Sequence, residues 1–304
     1  MTNYINNNIP YFDAHCDTLS RCWKTGESLL NNHGQCDLKR LSRYQPFGQI
    51  FAIFYDAAKI APDLSPKSPG LWEIAQEMAN LFRREKEKNP DLMKRAVLSI
   101  EGGELLDCDP EKLEQVKTWG VRSINITWNH ANLLSGSNLE KSDTGLTDRG
   151  REFIKRMGEL NIFPDVSHLS DPGFYDLADM GILPLFASHS NSRTICPHKR
   201  NLTDDQFRVI RDSHGLVGIN LYLDFIGGDG SMNAILKHFD HFLELGGEKI
   251  LALGSDWDGG ITGAGNIQGA EDMIKLAYAM RQHGYDENLI RDIFDNNLAR
   301  FLGF

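Results

Sequence analysis

The 304-residue sequence predicts a (β/α)8 barrel in a single domain, residues 1–304. Eight short runs are apolar throughout instead of alternating, as expected of parallel strands covered on both faces. Most of these runs are followed by a stretch with helical spacing, and strand–helix alternation at this length favours a barrel. Polar residues recur at the C-terminal ends of the runs, where barrel active sites lie. This last pattern favours a barrel over its main rival, an open doubly wound sheet. Neither G-x-G-x-x-G nor a P-loop occurs to suggest a nucleotide site.

In chain order, the first apolar run starts at Ile9 and stops at His15. Residues 18–46 mix Gly, Asn, Cys and charges and read as a long, partly helical connection. Phe47 to Tyr55 is the second strand, and Pro62 to Pro69 a turn-rich loop. Leu71 to Lys88 carries Leu71, Ile74, Ala75, Met78 and Leu81-Phe82 on one helical face. Ala96 to Ile100 is the third strand, and a short helix starts at Pro110, a residue suited to a first turn. Val121 to Trp128 is the fourth strand. Thr147 caps a helix running to Leu160. Ile162–Val166 and Ile182–Ala187 are strands five and six, with a helix from Asp171 to Met180 between them, closed by Gly181. Thr203 caps the next helix, to Arg211, and Leu216–Leu221 is strand seven. A helix from Ser231 to Leu245 ends at Gly246-Gly247, Ile250–Gly254 is strand eight, and helices at Gly269–Gln282 and Glu287–Leu302 close the chain.

Composition narrows the function. Net charge is −10, which argues against nucleic acid or an anionic membrane surface as the main partner. A small anionic substrate stays admissible, because one Arg can capture a carboxylate. The five cysteines form no C-x-x-C pair, so neither a disulfide framework nor a zinc-thiolate site is signalled, and a reducing, cytoplasmic location is expected. Met1 to Asn8 is polar and shows no secretory signal, and no apolar stretch is long enough to span a membrane. The oligomeric state is left open, a homodimer included.

The chemistry-bearing residues collect at strand ends. His15 and Asp17 stand two apart, and in an extended strand such residues project together. An imidazole and a carboxylate placed so suit a divalent cation. His130 follows strand four, His168 ends strand five and His189 ends strand six. His33, His214, His238, His241 and His283 fall in helices or loops without a partner pattern and read as surface or packing residues. Three or more imidazoles with the carboxylates of Asp17 and Glu101 exceed the needs of one tetrahedral ion. The inventory fits two ions about 3.5–4 Å apart, bridged by a carboxylate. Glu101 is the better bridge, with its longer reach and the Gly102-Gly103 pair after it. Asp256, at the end of strand eight, can accept a proton from an activated water and pass it to a leaving group. Asp258-Gly259 is the better candidate for an Asx-turn.

As an ordered set, His15-x-Asp17, Ser99-Ile100-Glu101-Gly102-Gly103, Asn129-His130, Asp165-Val166-Ser167-His168, Ser188-His189-Ser190-Asn191, Lys199-Arg200-Asn201-Leu202 and Gly254-Ser255-Asp256-Trp257-Asp258-Gly259 resemble the membrane (renal) dipeptidase family of zinc peptidases. The resemblance runs from residue 11 to about residue 300. It implies a barrel of the metal-dependent hydrolase type that cleaves dipeptides through a hydroxide bridging two Zn2+ per chain. His15 and Asp17 would bind one zinc, His168 and His189 the second, and Glu101 would bridge them. His130 would polarise the scissile carbonyl, Arg200 would hold the substrate's free carboxylate, and Asp256 would be the acid/base. Relatives accept a D-residue at the C-terminal position, and some open β-lactam rings. Unlike the animal members, this sequence is expected to lack a secretion signal and a lipid-anchor tail.

Two other readings compete. One is a different binuclear barrel hydrolase acting on a lactone, phosphotriester or cyclic amide. Many of these bridge their metals with a carbamylated Lys, where this chain has Glu101, and Arg200 favours a substrate with a free carboxylate. The other is a non-catalytic metal-binding barrel, against which Asp256 argues, since it is not needed as a ligand.

Overall fold

The computed structural model describes residues 9–59, 70–141, 144–182, 184–260 and 263–304. Eight parallel strands close a barrel in the order of the sequence. They are β1 (Tyr11–Cys16), β2 (Phe47–Ile53), β3 (Ala96–Glu101), β4 (Val121–Asn125), β5 (Phe163–Asp165), β6 (Phe186–Ala187), β7 (Leu216–Ile219) and β8 (Leu251–Leu253). All strands but β3 are shorter than the apolar runs that announce them. In the sixth run, Pro184 has no N–H to give to a ladder, and β6 keeps two residues. In the fourth, Ile126 to Trp128 leave the ladder and turn towards the site. The expected loop from Pro62 to Pro69 lies outside the described residues.

Helices α1 (Thr18–Thr25), α2 (Leu38–Leu41), α3 (Leu71–Lys88), α4 (Leu113–Thr118), α5 (Asp148–Glu159), α6 (Asp171–Asp179), α7 (Asp204–Asp212), α8 (Leu223–Ile226), α9 (Met232–Glu244), α10 (Met273–His283), α11 (Glu287–Arg291) and α12 (Asn297–Leu302) surround the barrel. The caps follow the sequence. Thr147 Oγ1 accepts the Gly150 N–H, and Thr203 forms a reciprocal box with Gln206. Among the described residues no helix is long and apolar enough to cross a membrane.

The two barrel ends differ. Phe12, Val97, Phe186 and Leu216 pack with Leu298 and Leu302 of α12, and the Phe301 ring lies 4.5 Å from that of Phe163. This apolar plug leaves only the strand C-terminal end for a site. There β6, β7 and β8 run very close together. A Cβ on Gly254 would stand 2.0 Å from the Ser188 carbonyl oxygen and 3.0 Å from the Gly218 Cα. Backbone cannot yield to such a clash as a side-chain tip can. Gly254→Ala is therefore expected to destabilise the protein by about 1–3 kcal/mol, the usual cost of overpacking. An unchanged melting temperature would contradict this packing.

Candidate metal centre

The candidate ligands His15, Asp17, Glu101, His168 and His189 stand at or just past the end of a strand. Between Asp13 and Cys16 the β1–β2 register shifts, and His15 lies in this irregular stretch. Glu101 is the last residue of β3, and its two oxygens face different imidazoles. Oε2 lies 3.5 Å from His15 Nε2, while Oε1 lies 2.9 Å from His168 Nε2 and 3.6 Å from His189 Nε2. The His168 and His189 Nε2 atoms are 3.0 Å apart. Two overlapping groups have ligand atoms within 4.8 Å of one another: His15, Glu101 and His189, and His15, Asp17 and Asp256.

The donor set fits metal ions. His15 Nε2, Asp17 Oδ1 and Glu101 Oε2 are buried without a hydrogen-bond partner, a costly state for polar atoms unless something else satisfies them. The outer nitrogens of the paired imidazoles are engaged. His168 Nδ1 is 2.8 Å from Asn129 Oδ1, and His189 Nδ1 is 2.7 Å from Ser188 Oγ. A ring donating Nδ1–H to Asn129 keeps its Nε2 lone pair free for a cation. Burial, with Arg200 adding to it, pulls His168 down to about 4, so this imidazole is neutral at pH 7 as a ligand must be. Burial opposes ionisation of Glu101, but His15 and His168 hold its carboxyl well below the usual range.

Asp256 and Arg200 complete the floor of a cavity of about 320 Å3. Burial pushes the Asp256 carboxyl up to about 6; His15 opposes the rise and Glu101 adds to it. Asn220 Nδ2 donates to Asp256 Oδ2 at 3.0 Å. Asp256 has φ 64°, strained for a non-glycine residue and the kind of outlier that collects at functional sites. Gly259 permits the crowding, since a Cβ there would lie 2.4 Å from Asp256 Oδ1 and 2.9 Å from Asp17 Oδ2. Arg200 is 2% exposed, its Nε and Nη1 are unpartnered, and its guanidinium sits 5.2 Å from the Phe225 ring. Its loop is braced: Arg193 grips Asp171 with two nitrogens, and Asn201 Nδ2 donates to the Cys196 and Phe225 carbonyls.

His130 is a correction to the sequence reading. Its side chain is 65% exposed, its Nδ1 lies 3.5 Å from Glu140, and it does not line the cavity. Trp128 and Asn129 do, because the chain leaves the β4 ladder before them and the two-residue alternation no longer holds. Asp258 differs too. Its carboxylate accepts from Thr18 Oγ1 at 2.6 Å and from the Gln35 N–H at 2.8 Å, pinning α1 and the segment before α2 to the end of β8. The sequence reading passed over Phe54, His198 and Tyr222 of the cavity wall, and over Asn220. Asn220 and Phe54 directly follow β7 and β2, so the strand-end rule applies to both. A larger surface groove of about 460 Å3 between outer helices carries no such cluster.

Residues 1–303 match the family model described as membrane dipeptidase, peptidase family M19. The chain belongs to this family. A Klebsiella pneumoniae protein from the pqqA 5′ region is 34% identical over 267 residues, covering 84% of this chain and 97% of the relative. A Schizosaccharomyces pombe protein described as a dipeptidase is 33% identical over 186 residues, covering 59% of this chain and 44% of its own. The structure of a metallopeptidase from Rhodobacter sphaeroides, liganded with a phosphinate mimic of L-Ala-D-Ala, superposes with a TM-score of 0.84 at 28% identity, over 97% of this chain and 99% of that one. Membership in the membrane dipeptidase family makes this barrel a metal-dependent hydrolase of the dipeptidase class.

Proposed function

We propose that the chain hydrolyses dipeptides with a free C-terminal carboxylate, using two zinc ions. One observation carries the reading: Glu101 presents one oxygen to His15 and the other to the His168–His189 pair, in the same cavity as a buried guanidinium with unpartnered nitrogens. His15 and Asp17 would hold one ion, His168 and His189 the other, and Glu101 would be shared. Bound there, the ions supply an activated water and polarise the scissile carbonyl.

The chain's own groups do the rest. Arg200 grips the carboxylate and sets the register of the dipeptide. The cavity, whose wall includes Phe54 and Trp128 as well as Arg200, then admits a substrate of limited length. Asp256, held by Asn220, takes the proton of the attacking water and delivers it to the leaving nitrogen. A dipeptide mimic bound to the related metallopeptidase supports the substrate class. A lactone or cyclic amide without a free carboxylate would leave Arg200 unpaired.

Elemental analysis of the purified protein is expected to give close to two equivalents of zinc, imidazoles favouring it over magnesium. Activity on a dipeptide panel should disappear on chelation and return with zinc. Full activity with one ion or none would overturn the binuclear reading.

A further inference from the structure

Two fully buried carboxylates that are not in the metal-binding groups lie directly beneath them, and they make the same connection twice. Asp13 Oδ1 accepts the His15 N–H, two residues on, at 3.0 Å, and the Ser255 N–H of the neighbouring strand end at 3.2 Å. Asp165 Oδ1 accepts the Ser167 N–H, two residues on, at 3.0 Å, and the Ser188 N–H of its neighbouring strand end at 3.2 Å. In both cases the neighbour's serine immediately precedes a site residue, Asp256 after Ser255 and His189 after Ser188. Ser167 extends the second connection, its Oγ accepting the His189 N–H at 3.1 Å.

The ladder is thin at these places. β5 and β8 keep three residues and β6 two, so regular strand pairing stops short of the site. His168 and Asp256, at φ 74° and 64°, hold strained conformations that persist only where the surroundings over-determine them. A carboxylate accepting backbone N–H groups from two strands supplies that constraint from a buried, rigid point. We propose that Asp13 and Asp165 are positioning residues. Asp13 fixes His15 against the Ser255–Asp256 turn across β1 and β8, and Asp165 fixes His168 against His189 across β5 and β6, so that the imidazoles are set for their ions, and Asp256 beside them, before the ions arrive.

The two clamps differ in a way that can be tested. Both connections of Asp165 go to one oxygen, and its Oδ2 has no partner. An asparagine there keeps the needed acceptor. Asp13 uses both oxygens. Its Oδ2 also accepts from Ser255 N, Ser255 Oγ and Tyr11 OH, and that phenol already accepts from Trp257 Nε1. An amide NH2 cannot take those donors. Asp165→Asn should therefore retain metal affinity while Asp165→Ala loses about 10–100-fold, as second-layer changes do, whereas Asp13→Asn should fall as Asp13→Ala does. The Asp165 loss should be confined to one of two binding steps.

The proposal rests on the metal-centre reading, and the experiment separates the two. Zinc affinity of wild type and variants is measured by chelator competition, with cobalt(II) absorption reporting ligand geometry and circular dichroism reporting folding. Wild type that takes up no zinc overturns the metal-centre reading. Wild type that takes up two ions, with Asp165→Ala equal to it, overturns the clamp. If the alanine variants do not fold, the asparagine pair still decides: divergence supports the proposal and equal behaviour overturns it. Ser167→Ala, which removes the His189 acceptor together with the contact to Ser190 Oγ at 3.2 Å but leaves Asp165 in place, should weaken the same binding step as Asp165→Ala, and unchanged binding counts against the clamp.

Discussion

Asp256→Asn is expected to lower kcat on dipeptides by about 10²–10⁴-fold, the usual worth of a positioned acid/base, with zinc content and fold unchanged. The amine of a peptide is too basic to leave as an anion, so some group must protonate it. Asp256 is placed for that task in the cavity floor, with Asn220 orienting one oxygen and His15 3.8 Å from the other. Burial brings its carboxyl up to about 6, near the range where a group both takes and gives a proton at neutral pH. Asparagine keeps the shape and removes the exchange. Asp256 also lies within 4.8 Å of His15 and Asp17 ligand atoms, so the variant discriminates between two roles. Retained zinc with low kcat marks a proton carrier. Lost zinc marks a ligand, and near-normal kcat with full zinc rejects both.

The barrel and most of the cluster were legible because strand ends carry the information. His15, Glu101, His168, His189 and Asp256 each close or follow an apolar run, and barrel closure brings such ends to one place. What failed was the loop geometry. Asn129 and His130 are adjacent, and once the chain leaves β4 nothing in the spacing tells which of them turns inward. Asn129 does and meets His168, while His130 pairs with Glu140 at the surface. Asn220 was hidden inside a run read as one strand to Leu221; the ladder stops at Ile219. The clamps at Asp13 and Asp165 depend on hydrogen bonds between neighbouring strands, which no spacing within one strand reports. Strand ends are thus readable one at a time, and the contacts between them are not.

Arg200→Lys is expected to reduce kcat/KM on dipeptides by about 10²-fold, the equivalent of losing about 3 kcal/mol of a charge-assisted pair, with normal zinc content. A guanidinium buried to 2% exposure and without an ion-pair partner among the described residues stays costly until an anion arrives. Burial already draws its pKa down to about 10, with Asp256 and Glu101 opposing the fall. A substrate carboxylate removes that cost by pairing with one of the two forked edges of the guanidinium, Nε with Nη2 or Nη1 with Nη2, the bidentate geometry that Arg offers and Lys lacks. Lysine would also have to abandon the Phe225 face and the His189 carbonyl, 3.4 Å from Nη2. The substrate side of the same pair gives an independent check on the native protein. A dipeptide with its C-terminus amidated should be a poor substrate for the wild type, and Arg200→Lys should lose far less on the amide than on the free acid. Equal cleavage of amide and acid by the wild type would remove Arg200 from carboxylate recognition and return the cyclic-amide reading to first place.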